Sequence, residues 1–459
     1  MSTSSEIKIT FLGAAGTVTG SKYYIETPDK NIMVDCGLFQ GLKELRLLNW
    51  NKLPIDVSKV DVLLLTHGHL DHTGYLPRIV QEGFKGEIWG SAPTLDIAKI
   101  ILEDSARIQE EDAERANAEG FSKHKPAKPL YTIKDVENTL PLFRIKELDT
   151  WNQINSTISC RFRYNGHIIG ATFIELKIKN KRLVFSGDIG REEDALMYPP
   201  QKPEEADILF IESTYGDRLH PNDSEEQLAT LINKSMELQG TIIIPSFAVE
   251  RTQTLMYLLW KLKKNGTIPS IPIYMDSPMG ASVLEVFKKN MSWHKLSNHD
   301  CDEVLKDIQL IRTIQETYKL AASATPKIII AGSGMASGGR VLTYFVQYLG
   351  KPDATVLLAG YQAEGTRGRA MLEGAAEVKL FGKFFPVKAH IENIQSLSSH
   401  ADQKGLIDWL SKLKSPPTEI FIVHGEHDSA LALRDKIKEV YNWNASIPRL
   451  NQVVTIPNE

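Results

Sequence analysis

The chain has little cysteine, no long apolar segment and no excess of positive charge, and each absence excludes a class of protein. Its three cysteines, Cys36, Cys160 and Cys301, are too few and too widely spaced for a disulfide framework or a cysteine zinc site. No apolar run approaches the ~20 residues that a membrane-spanning helix needs. Residues 1–6 have neither the basic nor the apolar region of a secretion signal. We therefore expect a cytoplasmic protein with no membrane partner.

The charge balance differs between the whole chain and one of its segments. A formal net charge of −4 lacks the basic excess that is typical of proteins binding nucleic acid. From Pro326 to His390, however, 8 lysines and arginines stand against 4 acidic residues. The sequence therefore allows a basic surface that is confined to one region. A length of 459 residues with 42% hydrophobic residues favours two domains rather than one core.

The segment 62–72 carries the strongest chemical signal. The apolar run Val62-Leu63-Leu64-Leu65 indicates a buried strand, and Thr66-His67-Gly68-His69-Leu70-Asp71-His72 follows it directly. Imidazole nitrogens and a carboxylate are the donors that Zn²⁺ and related dications prefer. The spacing lets His67 and His69 bind one ion while Asp71 and His72 reach a second. A polar surface loop is the alternative, but four donors directly after a buried strand favour metal binding.

The pattern of an apolar strand that ends in one polar donor recurs along the chain. Singly, each aspartate could be a turn residue and each histidine a satisfied core residue, but the repetition favours a common site. The donors are Asp35, His167, Asp188, Glu212 and His424.

Domain organisation follows from the order of the predicted elements. Residues 7–37 alternate like three strands that pair antiparallel, and a long helix is predicted from Thr94 to about Asn117. From about residue 217, strands and helices alternate as in a parallel α/β domain. New candidate ligands appear after residue 388, where the chain is expected to return to the first domain. We therefore predict a first domain of residues 1–216 and 389–459, with residues 217–388 inserted.

With these residues assembled, the chain resembles the β-CASP nucleases of the metallo-β-lactamase superfamily. The resemblance covers nearly the whole chain, including Pro245-Ser246-Phe247-Ala248-Val249-Glu250-Arg251 and Gly360-Tyr361-Gln362-Ala363-Glu364-Gly365-Thr366. In this comparison Glu212 corresponds to motif A, His400 to motif B and His424 to motif C. With a histidine at motif C, the chain resembles the branch of the group that acts on RNA. The resemblance implies an αββα metallo-β-lactamase sandwich with an inserted α/β β-CASP domain.

The resemblance also implies a ribonuclease that uses a hydroxide between two Zn²⁺ ions, and Mn²⁺ could replace them. His67, His69 and His167 are assigned to one ion and Asp71, His72 and His424 to the other, with Asp188 bridging. Catalytic roles are expected for Asp71, His400, Glu212 and Asp35: His400, kept protonated by Glu212, gives a proton to the leaving oxygen, and Asp35 orients a ligand histidine.

The glycine-rich segment 332–340 lies between a predicted strand and a predicted helix, where amides and the helix dipole can hold a phosphate. Alone it reads as a structural turn, since it matches neither a Walker A motif nor a dinucleotide fingerprint. Within the family that the chain resembles, phosphate contact is favoured. The expected substrate-binding residues are Ser337, Gly338, Gly339 and Arg340.

The expected partner is single-stranded RNA. No KH-type extension of the kind found in many archaeal relatives is expected, so the core protein or an oligomer such as a homodimer must place the substrate. Two other functions stay open at this stage. One is hydrolysis of a small ester, thioester or lactam, and the other is a non-catalytic scaffold subunit of an RNA-processing complex. Endonuclease and 5′→3′ exonuclease modes also stay open.

Overall fold

A computed structural model describes residues 6–119, 125–221 and 224–457. Within them the chain forms two compact units. The first unit comprises residues 1–194, 198–219 and 400–459 as far as they are described, and the second comprises residues 195–197 and 220–399.

The strands, in chain order, are β1 (Glu6–Phe11), β2 (Tyr23–Glu26), β3 (Asn31–Val34), β4 (Val62–Leu64), β5 (Glu87–Gly90), β6 (Phe143–Ile145), β7 (Asn152–Gln153), β8 (Ile158–Tyr164), β9 (Thr172–Ile178), β10 (Lys181–Phe185), β11 (Ile208–Glu212), β12 (Ile242–Pro245), β13 (Ile273–Asp276), β14 (Ile308–Leu310), β15 (Ile328–Ala331), β16 (Thr355–Ala359), β17 (Glu377–Leu380), β18 (Lys383–Pro386), β19 (His390–Ile394), β20 (Glu419–Val423) and β21 (Val453–Pro457). The α-helices are α1 (Lys43–Leu48), α2 (Leu70–Thr73), α3 (Leu76–Gln81), α4 (Ala92–Glu119), α5 (Ile133–Thr139), α6 (Ser224–Glu237), α7 (Arg251–Lys264), α8 (Pro278–Lys289), α9 (Asn298–Asp307), α10 (Ile314–Ala322), α11 (Val341–Tyr348), α12 (Arg367–Leu372), α13 (Gln403–Trp409) and α14 (His427–Tyr441).

Two sheets pack face to face in the first unit. Their strand orders are β21-β1-β2-β3-β4-β5-β6 and β20-β11-β10-β9-β8-β7. Apolar side chains of both sheets share one core, in which the rings of Phe11 and Phe421 have centroids 5.1 Å apart. The alternation of buried residues along β1 and β8 directs one face of each strand into this core. The predicted antiparallel pairing of β1, β2 and β3 is confirmed.

Helices cover the outer face of each sheet. Helices α3, α4 and α5 bury Leu76, Leu102 and Val136 against the first sheet, and α13 and α14 bury Trp409 and Leu433 against the second. The predicted long helix is confirmed as α4. The order helix, sheet, sheet, helix is the αββα sandwich that the resemblance implies.

The second unit is a parallel α/β domain. Its sheet has the order β14-β13-β15-β12-β16-β19, and every pairing between these strands is parallel. Both faces of the sheet are buried, one under α6, α7 and α9 and the other under α10, α11 and α12. The continuous apolar strands of this segment, such as Ile242–Pro245, suit a sheet that is buried on both faces. The hairpin β17–β18 stands beside this sheet as a separate two-stranded pair.

The second unit ends later along the chain than the sequence predicts. Strand β19 pairs in parallel with β16, in register from Thr355 opposite His390 to Ala359 opposite Ile394. The segment after residue 388 therefore completes the second sheet first, and the first unit resumes at His400. Among the described residues, no helix combines the length and the apolar character that crossing a membrane requires.

Candidate metal centre

Backbone amides of neighbouring loops hold the loop after β4 through its carbonyl groups. The amide of Ser21 donates to the carbonyl of Asp71 at 2.8 Å, and the amide of Cys36 donates to that of His72 at 2.7 Å. A Cβ atom at Gly37 would lie 1.5 Å from the carbonyl oxygen of Asp71, so only glycine permits this approach. The turn that carries Asp71 and His72 is therefore fixed by the adjoining loops before any ligand binds.

Four side-chain atoms converge to form a first ligand group. Nδ1 of His69 lies 3.1 Å from Nε2 of His67 and 3.3 Å from Nε2 of His167. Oδ2 of Asp188 lies 3.5 Å from the Nε2 atoms of both His67 and His167. The sequence assigned these three histidines to one ion, and they do lie together.

A second ligand group lies on the other side of Asp188. Nε2 of His72 is 3.0 Å from Nε2 of His424, and Nε2 of His424 is 3.3 Å from Oδ2 of Asp71. The other oxygen of Asp188, Oδ1, lies 3.2 Å from His72 and 3.5 Å from His424. Each Asp188 oxygen thus faces one group, which is the arrangement that a bridging carboxylate requires.

The spacing of these atoms fits tetrahedral coordination of a divalent ion. Zn–N and Zn–O bonds of about 2.0–2.2 Å place the ligand atoms of a tetrahedron about 3.3–3.5 Å apart. Neighbouring atoms in the two groups are 3.0 to 3.5 Å apart, Asp71 and His72 are 3.9 Å apart, and all ligand atoms of the first group lie within 4.8 Å of one another. The seven residues also supply the imidazole and carboxylate donors that suit Zn²⁺ and related dications. Both groups therefore fit a divalent metal.

Asp35 orients one of these ligands. Its Oδ2 atom lies 2.8 Å from Nδ1 of His72 and accepts a hydrogen bond from the hydroxyl of Thr66 at 2.8 Å, while Oδ1 accepts one from the amide of Thr66 at 2.8 Å. A carboxylate at Nδ1 favours the tautomer with a proton on that nitrogen. The lone pair of His72 is then on Nε2, the atom that points into the second group. Sequence analysis missed Thr66, although its position between the buried strand and His67 marks it as a residue near the site.

Burial and charge divide the histidines of the site into two classes. Burial lowers the pKa of His67 well below its usual value and that of His69 to about 4, so both rings are neutral near pH 7. Burial acts in the same direction on His72 and His424, but the nearby carboxylates outweigh it and raise the pKa of both. Burial opposes ionisation of Asp188, yet His424, His72 and His67 together hold its pKa well below the usual value. Protons and metal ions therefore compete at His72 and His424.

His400 and Glu212 form a pair beside the two groups. Nδ1 of His400 lies 3.1 Å from Oε2 of Glu212, which is fully buried at the end of β11. Nε2 of His400 lies 3.9 Å from Oδ2 of Asp188. Burial lowers the pKa of His400, but the charge and hydrogen bond of Glu212 outweigh it, and the net pKa is raised. Glu212 also accepts a hydrogen bond from the amide of Ile189 at 2.6 Å, so its carboxylate is engaged with His400 and the backbone.

Lys22 is a further residue of this region that sequence analysis missed. Its ammonium group is buried, donates to the carbonyls of Gly20 at 3.0 Å and Gly37 at 2.6 Å, and lies 4.4 Å from the ring centroid of Phe39. Burial lowers the pKa of Lys22 to about 8. Lys22 thus joins the two loops whose amides hold the ligand-bearing turn.

The expected substrate-binding residues lie in the second unit, where other side chains engage them. The amides of Ser337 and Gly338 donate to Oγ of Ser333 at 3.1 and 3.2 Å. Arg340 forms an ion pair of 2.5 Å with the buried carboxylate of Asp276 and donates to the carbonyl of Arg312 at 2.9 Å. Arg340 therefore fixes its own loop, and its contact with a phosphate stays a prediction.

The remaining histidines do not join the ligand groups. His294 is buried with Nε2 3.0 Å from the carbonyl oxygen of Phe287, and His390 and His427 are exposed. His124 lies outside the described residues.

Family models match successive parts of the chain. The metallo-beta-lactamase superfamily matches residues 15–244, the Beta-Casp domain residues 252–371 and the Zn-dependent metallo-hydrolase RNA specificity domain residues 385–448. The last match contains both His400 and His424.

Similar proteins extend over almost the whole chain. Ribonuclease TTHA0252 of Thermus thermophilus is 30% identical over 98% of this chain and 100% of its own length. Transcription termination factor FttA of Methanocaldococcus jannaschii is 29% identical over 96% of this chain and 70% of its own. Cleavage and polyadenylation specificity factor 73 of Drosophila melanogaster is 28% identical over 96% of this chain and 63% of its own.

A solved structure also shares the fold. The crystal structure of a protein of unknown function from Enterococcus faecalis matches with a TM-score of 0.53 and 14% identity, over 98% of this chain and 100% of that one. Together with the family models and the relatives, the two ligand groups and the inserted parallel domain show that the chain belongs to the β-CASP group of the metallo-β-lactamase superfamily.

Proposed function

We propose that the protein is a metal-dependent ribonuclease that hydrolyses phosphodiester bonds of single-stranded RNA. The observation that carries this proposal is the shared carboxylate of Asp188, whose two oxygens face the two ligand groups. Divalent ions held by these residues would supply an activated water and would stabilise negative charge on the phosphoryl oxygens. The names of the relatives support RNA as the substrate, since they include a ribonuclease and a cleavage and polyadenylation factor.

The chain's own residues hold the ions and handle the protons. His67, His69 and His167 would hold the first ion, Asp71, His72 and His424 would hold the second, and Asp188 lies beside both groups. Asp35 keeps the lone pair of His72 directed into the site. We assign Zn²⁺ to both positions because neutral imidazoles and carboxylates at tetrahedral spacing suit it, and Mn²⁺ is the alternative.

His400 is the proton donor in this proposal. Hydrolysis at phosphorus releases an alkoxide at the 3′ oxygen, which needs a proton when the bond breaks. Glu212 contacts Nδ1 of His400 and leaves Nε2 directed towards Asp188, beside the ligand groups. The negative charge of Glu212 favours the protonated form of His400, which is the form that can donate.

The experiment compares the wild-type protein with Asp188→Ala and His72→Ala on single-stranded RNA labelled at the 5′ or the 3′ end. Wild type should cleave, both variants should lose cleavage, and circular dichroism should show that both remain folded. Unchanged cleavage by either purified variant would exclude this centre as the source of activity. Substrates with and without a 5′-phosphate separate internal cleavage from 5′→3′ degradation through the lengths of the products.

Two other functions give different results when the same proteins are also assayed with a small ester or thioester and for RNA binding. A hydrolase of small esters or thioesters would turn over such a substrate faster than RNA, and a scaffold subunit would bind RNA without cleaving it. The scaffold is disfavoured because every predicted ligand residue is in one of the two groups. The homodimer expected from the sequence finds no support among the described residues, and the cleavage chemistry does not require it.

A further inference from the structure

The hairpin β17–β18 presents one face to the second-unit core and the other to solvent. Val378 and Leu380 are buried in that core. On the other face Lys379 lies opposite Phe384 in the strand register, and residues 381 and 382 form the turn between the strands. The side chains of Phe381 and Phe384 are 56% and 63% exposed.

Phe381 occupies a backbone position that disfavours it. The φ angles of Phe381 and Gly382 are +47° and +82°, which places both in the left-handed region that two-residue hairpin turns of type I′ require. Asn, Asp and Gly are favoured there, and a bulky side chain is disfavoured. Because the ring is mostly exposed, packing does not compensate for this cost. A strained residue whose side chain is mostly exposed points to a function outside the fold.

The charge of the hairpin is opposite in sign to that of the whole chain. Residues 377–388 contain three lysines, Lys379, Lys383 and Lys388, and one acidic residue, Glu377, whereas the chain carries −4. The Nζ atom of Lys379 lies 5.8 Å from the ring centroid of Phe384. In the described part of the chain, neither Lys379 nor Lys383 has a carboxylate within ion-pair distance, so their charges are available to a phosphate.

The hairpin is tied to the glycine-rich loop of the same unit. Nε of Arg367 donates to the carbonyl of Lys379 at 2.7 Å, and its Nη1 donates to the carbonyl of Ser337 at 2.8 Å. Arg367 therefore links the hairpin to the segment that the sequence predicts to contact substrate.

We propose that the β17–β18 hairpin is a platform for single-stranded RNA, on which bases stack against Phe381 and Phe384 while Lys379 and Lys383 bind the adjoining phosphates. The inference rests on the proposed function and adds a binding surface to it. Exposed aromatic rings with interleaved cations are the combination that holds single-stranded nucleic acid without sequence preference. A second copy of this chain fits less well, since a symmetric contact between two hairpins would bring like-charged lysines together.

The test measures the dissociation constant of a fluorescent 20-nucleotide RNA by anisotropy, with every variant made in an Asp188→Asn background to prevent cleavage. Phe384→Ala should weaken binding about tenfold, since stacking on one ring contributes about 5- to 150-fold. Phe381→Asn should weaken binding similarly while leaving the melting temperature unchanged or raised, because asparagine suits the turn. Tyr318→Ala is the matched control, since Tyr318 is an aromatic residue of the same unit that is 59% exposed, and its affinity should stay within twofold.

The lysines are tested through the salt dependence of binding. Replacing Lys379 and Lys383 by glutamine should reduce the slope of log affinity against log salt by about 1.4, since each phosphate contact with a single strand contributes about 0.7. Unchanged affinity in both phenylalanine variants overturns the proposal, and so does a loss of affinity that accompanies conversion of a dimer to a monomer in gel filtration. Cleavage by the wild type, measured in parallel, separates the two hypotheses. If the wild type cleaves RNA and the variants bind it with unchanged affinity, only the platform proposal fails. If the protein neither binds nor cleaves RNA, the platform and the proposed function both fail.

Discussion

Nδ1 of His400 lies 3.1 Å from Oε2 of Glu212, although 188 positions of the chain separate the two residues. The pair stands beside the two ligand groups without belonging to the three-histidine group or to the Asp71 group. Because the carboxylate is fully buried and also bonded to the backbone amide of Ile189, it holds the ring in one orientation. This separation of the proposed proton donor from the proposed metal ligands makes the two roles testable one at a time.

His400→Ala should reduce RNA cleavage about 10²- to 10⁴-fold, the usual contribution of a general acid. The bound metal, measured by elemental analysis, should stay at two ions per chain. An aryl phosphodiester with a 4-nitrophenolate leaving group should lose much less activity, since that leaving group needs no proton. Equal losses on both substrates, or loss of an ion, would assign His400 a different role.

Single ligand substitutions should remove one ion each. His167→Ala should lose the ion of the first group and His424→Ala that of the second, because each of these rings faces only its own group. Native mass spectrometry under saturating Zn²⁺ should then count one ion per chain in place of two. His427→Ala is the matched control, since this exposed histidine lies three positions after His424 and should leave two ions bound. Two ions retained in either ligand variant would contradict the assignment.

The buried lysine should make stability depend on pH in the alkaline range. Burial lowers the pKa of Lys22 from 10.5 to about 8, so below pH 8 the folded state bears the cost of a buried charge. Between these values the folded protein releases the proton and the unfolded chain keeps it, so stability rises with pH. The free energy of unfolding of wild type minus that of Lys22→Met should rise by roughly 3 kcal/mol across this range. Denaturant titrations at pH 7.5, 9 and 10.5 measure this difference, and a constant difference would contradict the shift.

Arg340→Met should destabilise the fold strongly. The substitution leaves the buried carboxylate of Asp276 without its cation, which costs about 3–5 kcal/mol for a buried pair. Arg312→Met is the control, since this neighbouring arginine is exposed and contributes only its backbone carbonyl to the network. Denaturant unfolding measures both variants. A stable Arg340→Met protein with weakened RNA binding would instead support the direct phosphate contact that the sequence suggested.

The sequence predicts the centre well where ligands follow apolar strands. The four ligand-type residues from His67 to His72 lie close together in sequence, and Asp188 and His424 each follow an apolar strand in the same way. Lys22 lacks such a signal, because its role depends on loops that are distant in sequence. The partner of Arg340 is also distant, since Asp276 ends β13 and lies 64 positions before it.

The elements of the fold also divide into those with a local sequence signal and those without one. The antiparallel strands β1 to β3 and the parallel second domain follow from alternation and apolar runs. Sequence analysis did not find β9, whose Glu175 is fully buried and bonded to Arg161 at 2.9 Å. A glutamate at that position reads as solvent-facing until its cross-strand partner is known. The sequence likewise predicts the end of the second unit at residue 388, because new candidate ligands follow it, and nothing in the pattern shows that β19 pairs with β16.

The central claim is that two ions bound around Asp188 hydrolyse RNA with water as the nucleophile. The most direct measurement is the end chemistry of the products when the metal-loaded wild type cleaves a labelled single-stranded RNA. Attack by water with release of the 3′ oxygen predicts a 5′-phosphate and a 3′-hydroxyl at each cleaved bond, with no such product from Asp188→Ala. A 2′,3′-cyclic phosphate, which forms when the ribose 2′-hydroxyl attacks, would contradict the claim.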